Sequence, residues 1–277
     1  APAEAELRQA YAGKRVLVTG HTGFKGSWLS LWLAQLDADV AGYALAPEDP
    51  AGLFIAGGVE ARCRHTIGDV RNLAALRATI ADLRPDYIFH LAAQPLVRRS
   101  YQVPLETLET NVMGTAYLLE AVRLARQRCA VVVVTSDKCY DNRESLDGYG
   151  EDDPLGGSDV YSMSKGATEL VVASYRKSFF PPARLDEHGV QLASVRAGNV
   201  IGGGDFAVDR IVPDAVRALR SGQPVPVRNP ASVRPWQHVL DPLGGYLLLG
   251  ARLAGVGTAT PADACEAWNF GPALEAS

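Results

Sequence analysis

Short runs of uninterrupted apolar residues alternate along this chain with longer stretches in which apolar positions recur every three or four residues. Arg15–Thr19 reads as a strand, Ser27–Leu36 as a helix and Asp39–Tyr43 as a second strand, which together make one βαβ unit. The alternation continues with a helix over Ala74–Leu83, a strand over Tyr87–Leu91, a longer helix over Thr110–Arg126 and a strand over Ala130–Thr135. A helix over Tyr161–Phe179 and a strand over Gln191–Arg196 follow. Strands that are apolar throughout, separated by amphipathic helices, predict a parallel sheet covered on both faces. After Arg196 the chain turns to loops dense in Gly, Pro and Arg from Asn199 to Trp236, and then to an apolar helix over Leu240–Leu253. This divides the expectation into a sheet domain over residues 1–198, onto which residues 236–253 pack back, and a smaller lobe over residues 199–277. The lobe reads as incomplete at its C-terminal end.

With 277 residues of which 47% are hydrophobic, the chain can bury a large core. Its formal charge of -4 is scattered and includes no basic tract, which argues against a nucleic-acid partner. The longest apolar runs, Ala130–Val134 and Tyr246–Gly250, fall far short of the ~20 residues a bilayer crossing needs. Ala1–Gly13 lacks the pattern of a secretory signal and reads as a short leading helix or tail. Cys63, Cys129, Cys139 and Cys265 show no CxxC spacing and read as thiols in a reducing cytoplasm. His21, His65, His90, His188 and His238 form no metal-binding spacing, so no metal is expected and packed or surface imidazoles are the reading.

Chemistry enters at the first strand. Val16–Thr19 runs into Gly20-His21-Thr22-Gly23-Phe24-Lys25-Gly26 and then a helix, a GxxGxxG turn in a βαβ unit. Gly20 suits the tight turn, Gly23 lets the backbone approach a pyrophosphate, and Gly26 packs the helix closely on the sheet. The helix N-terminus offers free N–H groups to the phosphates. The fold class is therefore α/β, a Rossmann-type doubly wound parallel sheet with a smaller substrate-binding lobe. An acid is expected at the end of the second strand about 20 residues on, to hold the adenosine ribose, but Tyr43-Ala44-Leu45 stands there. No Arg nearby replaces it, so that position selects neither NAD nor NADP. Asp69 lies after a third strand, where it would either bond an adenine amine or cap a turn.

Tyr161 and Lys165 are spaced i, i+4 and share a helix face. A nearby ammonium favours the phenolate, which can then take a proton from a substrate hydroxyl whose carbon gives up hydride. The pair gains weight from Val131–Val134, an apolar strand that ends in Thr135-Ser136-Asp137-Lys138. That is the sheet edge at which α/β folds place ligands. Asn111, in the helix after the fourth strand, either bridges to the lysine through water or is a plain exposed amide.

These residues, together with His90-Leu91-Ala92-Ala93-Gln94-Pro95, Thr110-Asn111-Val112-Met113-Gly114-Thr115, Arg196-Ala197-Gly198-Asn199-Val200-Ile201-Gly202-Gly203-Gly204-Asp205 and Arg234-Pro235-Trp236-Gln237-His238-Val239, resemble the extended short-chain dehydrogenases/reductases. Within that family the chain is most similar to the lyases that dehydrate nucleotide-activated hexoses, with CDP-glucose the favoured substrate. The resemblance runs from about Gly13 to the end. It implies transient oxidation at C4, loss of water across C5–C6 and return of hydride to C6, with NAD held and regenerated in each turnover. On this pattern Tyr161 removes the C4 hydroxyl proton, Lys165 tunes it, Ser136 steadies the hydroxyl and Asp137 is the acid for the departing C6 hydroxyl. Many such dehydratases carry Asp-Glu at this step; here the second position is Lys138, either the C5 base or a positioning group. The cofactor contacts implied are Gly20, Thr22, Gly23, Phe24, Lys25, Gly26, Asp69, Val70, Leu91, Ala92, Ala93, Asn111, Thr135, Tyr161 and Lys165. Those to the substrate are Gln94, Asn199 and the cations Arg210, Arg228 and Arg234. Trp236 reads as core and Glu151-Asp152-Asp153 as a solvated loop. Pairing of the helices Thr110–Arg126 and Tyr161–Phe179 in a homodimer is implied as well. A nucleotide-sugar 4-epimerase or reductase needs Tyr161 and Lys165 but not Asp137-Lys138, and a non-catalytic dinucleotide sensor needs neither.

Overall fold

The computed structural model describes residues 2–143, 148–258 and 260–272. Seven parallel strands form one sheet: β1 (Arg15–Thr19), β2 (Asp39–Ala44), β3 (Arg64–Ile67), β4 (Tyr87–His90), β5 (Cys129–Val134), β6 (Val190–Ala197) and β9 (Ala267–Phe270). Their order is β3-β2-β1-β4-β5-β6-β9. A separate two-stranded parallel ribbon pairs β7 (Val200–Ile201) with β8 (Gln237–His238). The order reverses between β1 and β4, and the carboxyl ends of these two strands open the crevice where such sheets bind ligands.

Side chains of the apolar strands alternate between two cores. Val16 and Val18 of β1 and Ala130 and Val132 of β5 face one core, with Leu29 and Leu33 of the glycine-turn helix and Leu243 and Leu247 of the helix Leu240–Leu253. Leu17, Val131 and Val133 face the other, with Leu76, Ile80, Leu118 and Val172. A strand buried on both faces has no polar side to show, which is why its sequence is a continuous apolar run. Specific residues set the helix starts. Asn72 caps the helix Leu73–Leu83 by accepting from the Ala75 N–H at 3.0 Å. Asp159 caps the helix Val160–Ser178 by accepting from the Ser162 N–H at 2.9 Å.

Three expectations need correction. Residues 199–277 do not form one lobe apart from the sheet: β9 pairs with β6, Val195 opposite Trp268. The stretch read as loops contains a helix, Ile211–Arg220, with a strongly apolar side that leaves Val216 and Leu219 exposed. The helix expected over Thr110–Arg126 begins with a π turn, Glu109–Met113, before the α-helix Gly114–Ala125. Of the leading segment, Pro2–Tyr11 is helical; Ala1 lies outside the described residues, as do residues 259 and 273–277 of the C-terminal segment.

Candidate active site

The glycine turn is shaped by close approach. Gly20 has φ +75°, and a Cβ there would stand 2.7 Å from the Ala92 nitrogen. A Cβ on Gly26 would stand 2.1 Å from the Gly20 carbonyl oxygen. At Gly23 a Cβ would meet only that same oxygen at 3.3 Å, so the fold itself leaves the space over Gly23 open. The helix Phe24–Gln35 begins there with no side-chain cap, leaving its first N–H groups to an outside acceptor. These features fit a dinucleotide pyrophosphate. Thr22 donates its hydroxyl to the Leu45 carbonyl at 3.0 Å and so ties the turn to the end of β2. Phe24 is half-buried at the helix start.

Strand ends β1 and β4 are locked by one imidazole. Thr115 donates its hydroxyl to the Asn111 carbonyl (2.8 Å), so it accepts from His90 Nε2–H (3.1 Å), and Nδ1 accepts from Thr19 Oγ1 (2.7 Å). Burial, with Lys165 nearby, holds His90 down at about 3, so the ring is neutral. The loop that follows is fixed to β1: Leu91 N–H donates to the Thr19 carbonyl at 3.1 Å and Ala92 N–H to Thr19 Oγ1 at 3.3 Å. Ala93 is half-buried beside them.

Where an acid was expected, Ala44 ends β2 buried. Next to it the sequence hid a contact: His21 Nε2 lies 2.6 Å from His65 Nδ1, and burial pushes His21 down to about 4. Asp69 is engaged with its neighbour, accepting from Arg71 N–H at 2.8 Å and from the Arg71 guanidinium at 2.6 Å, which lowers its pKa. The turn-capping reading therefore describes its geometry. Val70 is buried against the start of the helix Gly114–Ala125.

The strand end after β5 and the first turns of the helix Val160–Ser178 supply the reactive groups. Ser136 donates to Asp137 Oδ1 at 2.9 Å and stands beside the Tyr161 phenol. Burial pushes that phenol up to about 12, against the nearby Ser136 hydroxyl and the Arg210 cation. Lys165, expected to tune this phenol, stands one helical turn away on the same face. Burial drives the Lys165 amine down to about 8. Lys25 reaches from the glycine turn to the Tyr246 hydroxyl at 3.3 Å and, buried near Lys165, Arg210 and Asp137, also falls to about 8. The helix and the 3-10 turn Asp137–Cys139 meet closely at Gly166, where a Cβ would stand 2.8 Å from the Gly156 carbonyl oxygen and 3.1 Å from that of Cys139. Lys138 is half-buried and its N–H donates to Ser136 Oγ at 3.2 Å.

Other expected contacts are used inside the protein. Gln94 was expected against substrate, but its amide donates to Leu96 O (3.1 Å) and Thr107 Oγ1 (2.9 Å) while its oxygen accepts from Leu96 N–H (2.6 Å). Asn111 is buried, accepting from Gln94 N–H at 2.8 Å and donating to Gln94 O at 3.1 Å and to Ser164 Oγ at 2.9 Å. The plain exposed reading is overturned. Thr135 gives its hydroxyl to Glu169 and the Val195 carbonyl. Asn199 uses its carbonyl to pair with Gln237 N–H at 3.0 Å. Arg210 is paired to Asp205 at 2.7 Å yet close enough to act on Tyr161. Arg228 shares Asp209 with Arg98 on the surface, and Arg234 is exposed, bonded to Val233 O and Ser232 Oγ. Glu151, read as solvated loop, accepts from Asn269 N–H at 2.9 Å and from Arg196 through its carbonyl, also at 2.9 Å. Trp236, read as core, is 37% exposed.

Residues 16–258 match the NAD dependent epimerase/dehydratase family. The CDP-glucose 4,6-dehydratase of Salmonella typhimurium is 55% identical over 262 residues, 95% of this chain and 72% of that enzyme. The dTDP-glucose 4,6-dehydratase DesIV of Streptomyces venezuelae, solved with NAD and TYD bound, superposes with a TM-score of 0.78 at 28% identity over 94% of this chain and 76% of that one. The UDP-glucose 4-epimerase of Thermus thermophilus in complex with NAD superposes at 0.74 and 25% identity, over 93% and 77%.

Proposed function

Because this chain is a member of the NAD-dependent epimerase/dehydratase family, we propose that it converts CDP-D-glucose to CDP-4-dehydro-6-deoxy-D-glucose as an NAD-dependent hydro-lyase. The observation that carries the reading is the meeting of Ser136, Asp137 and Tyr161 at the crevice end of β5, where an epimerase would need no Asp137. The turn Gly20 to Gly26 and the uncapped helix start would hold NAD, which would supply the hydride acceptor for C4 and the hydride donor for C6.

The chain's own residues handle protons around that exchange. Tyr161 takes the C4 hydroxyl proton, and Ser136 favours the phenol's anion by turning its single O–H from Asp137 to the phenol oxygen. Once C4 is a carbonyl, the C5 hydrogen is acidic, and Lys138, presented by the 3-10 turn, removes it or positions the sugar for its removal. Asp137 gives its proton to the departing C6 hydroxyl. Lys25 and Arg210 keep cationic charge beside Asp137 and Tyr161. Arg210, Arg228 and Arg234 lie in the Arg-rich segment proposed to hold the diphosphate.

Incubation with CDP-glucose and NAD in deuterated water tests the proposal. A 4-keto-6-deoxy product with one deuterium at C5 supports it; inversion at C4 with the C6 hydroxyl intact overturns it in favour of an epimerase. Binding without turnover favours a sensor.

Exposed Met163 and Leu170 on the Tyr161 helix and Phe179 just past its end, with Leu124 on its neighbour, support a homodimer through these helices, to be tested by light scattering. Among the described residues no helix is long and apolar enough to cross a membrane. All four cysteines are unpaired, in keeping with a reducing compartment such as the cytoplasm.

A further inference from the structure

We infer that Glu169 is a positioning residue for the reaction, clamping the catalytic helix to the strand end that carries Ser136 and Asp137 and placing its carboxylate one helical turn from Lys165. The inference rests on the reading of Tyr161 and Lys165 as the proton-handling pair. Tyr161, Lys165 and Glu169 are spaced i, i+4, i+8, so they stand in a row on one helix face. Glu169 is 2% exposed, and each of its bonds leads to another element. Thr135, the residue before Ser136, donates to one carboxylate oxygen; Ser194 at 2.7 Å and Arg196 at 2.9 Å donate to the other, both from β6. Arg196 passes the link on to Tyr140 Oη at 2.7 Å, and Tyr140 donates to Asn269 Oδ1 at 2.6 Å. One carboxylate thus joins the helix to the ends of β5, β6 and β9.

A buried ion pair is a poor device for stability alone, since apolar residues of similar volume serve a core as well or better. Here the charge has another listener. The titratable groups around Lys165 are Tyr161 and Glu169, one turn to either side on its own helix, Cys139 from the 3-10 turn, His90 from β4 and Lys25 from the glycine-turn helix. His90 is neutral, Lys25 repels, and burial pushes the Cys139 thiol up to about 12, so it carries no charge at neutral pH. Glu169 is the one carboxylate in this set. Without it, burial and Lys25 would act on the Lys165 amine with no other carboxylate of this set to oppose them.

The experiment uses the full chain with NAD and compares wild type, Glu169→Gln, and the double variant Glu169→Gln/Arg196→Met, which removes the orphaned guanidinium. Lys165 is titrated by NMR in protein carrying carbon-13 lysine, its signal identified by its loss in Lys165→Met, and kcat and KM are followed over the same pH range. Glu169→Gln is expected to lower the Lys165 midpoint by at least one pH unit and to move the basic limb of kcat by the same amount, with KM changed less than twofold. The double variant should show the same displacement with its fold intact by circular dichroism. An unchanged Lys165 midpoint in either folded variant overturns the inference. Glu169→Asp, which keeps the charge, should restore the midpoint; failure to do so also overturns it. If wild type dehydrates no nucleotide sugar, the functional reading falls, while the Lys165 titration still decides the role of Glu169.

Discussion

Thr19 Oγ1 lies 2.7 Å from His90 Nδ1 and so joins the ends of β1 and β4 at the point where the strand order reverses. The bond requires a neutral imidazole, because the same ring donates from Nε2 to Thr115.

Stability should therefore fall with acid before most carboxylates titrate. Both buried rings have depressed values, about 3 for His90 and about 4 for His21, against 6.5 in the unfolded chain. Above pH 6.5 neither state binds the proton; below it the unfolded chain does and the folded chain does not, so stability is lost as pH falls from 6.5 toward 4. Each ring contributes a slope of about 1.4 kcal/mol per pH unit. Urea melts across this range should show it, and His90→Gln, which keeps a donor toward Thr115, should halve the slope.

Gly166 sets how near the Asp137–Cys139 turn comes to the catalytic helix. Gly166→Ala must push backbone carbonyls apart by a few tenths of an ångström or more. The helix itself gains from the extra methyl. A folded protein with kcat reduced by about 10²-fold is the expected result, since displacement of reactive groups by an ångström costs that much. Circular dichroism and kcat measured side by side check it; an unimpaired kcat would show that the turn relaxes freely.

The reactive groups should separate by step. Tyr161→Phe should cut kcat by about 10²–10⁴-fold while leaving nucleotide-sugar binding intact by calorimetry. Asp137→Asn should oxidise C4 yet fail to expel the C6 hydroxyl, so a 4-keto sugar that retains O6 should be trapped in single-turnover mass spectra. Lys138→Met decides between base and positioning group: loss of C5 deuterium exchange with C4 oxidation preserved marks the base, and loss of both marks positioning.

The sheet was legible because each strand is a closed apolar run, and so was the glycine turn, where sequence spacing maps directly onto backbone approach. Strand β9 was not, because Ala267–Phe270 is short and only partly buried at the sheet edge, and Trp268 and Asn269 interrupt its apolar pattern. The helix Ile211–Arg220 was hidden by Pro213 and a Gly/Pro-rich surrounding, although its apolar residues recur at helical spacing. Partner choice was the larger blind spot. Gln94, Glu169 and Arg196 are polar residues whose roles depend on chain segments up to 56 residues away, as with Arg196 and Tyr140, and residue type alone says nothing of who stands opposite.

Asn111, legible in the sequence only as a bridge or an exposed amide, is buried and fully bonded. Its carboxamide pairs with both backbone groups of Gln94 and with Ser164, so it pins the loop after β4 to the helix that carries Tyr161. The π turn around it keeps its backbone carbonyl within reach of both Thr115 and Thr168, at 2.8 and 2.9 Å. Asn111→Ala strands the N–H and carbonyl of Gln94, at about 1–3 kcal/mol each. Asn111→Asp keeps the acceptor for Gln94 N–H but presents an oxygen to the Gln94 carbonyl, and the loop must move away from it. Both variants should lower the unfolding midpoint, and both should weaken NAD binding more than sugar-nucleotide binding, because the displaced loop is the one that meets the glycine turn at Ala92. Separate titrations of the two ligands by calorimetry check this; equal losses for both would mean that the loop moves as part of the whole crevice and not against the cofactor side.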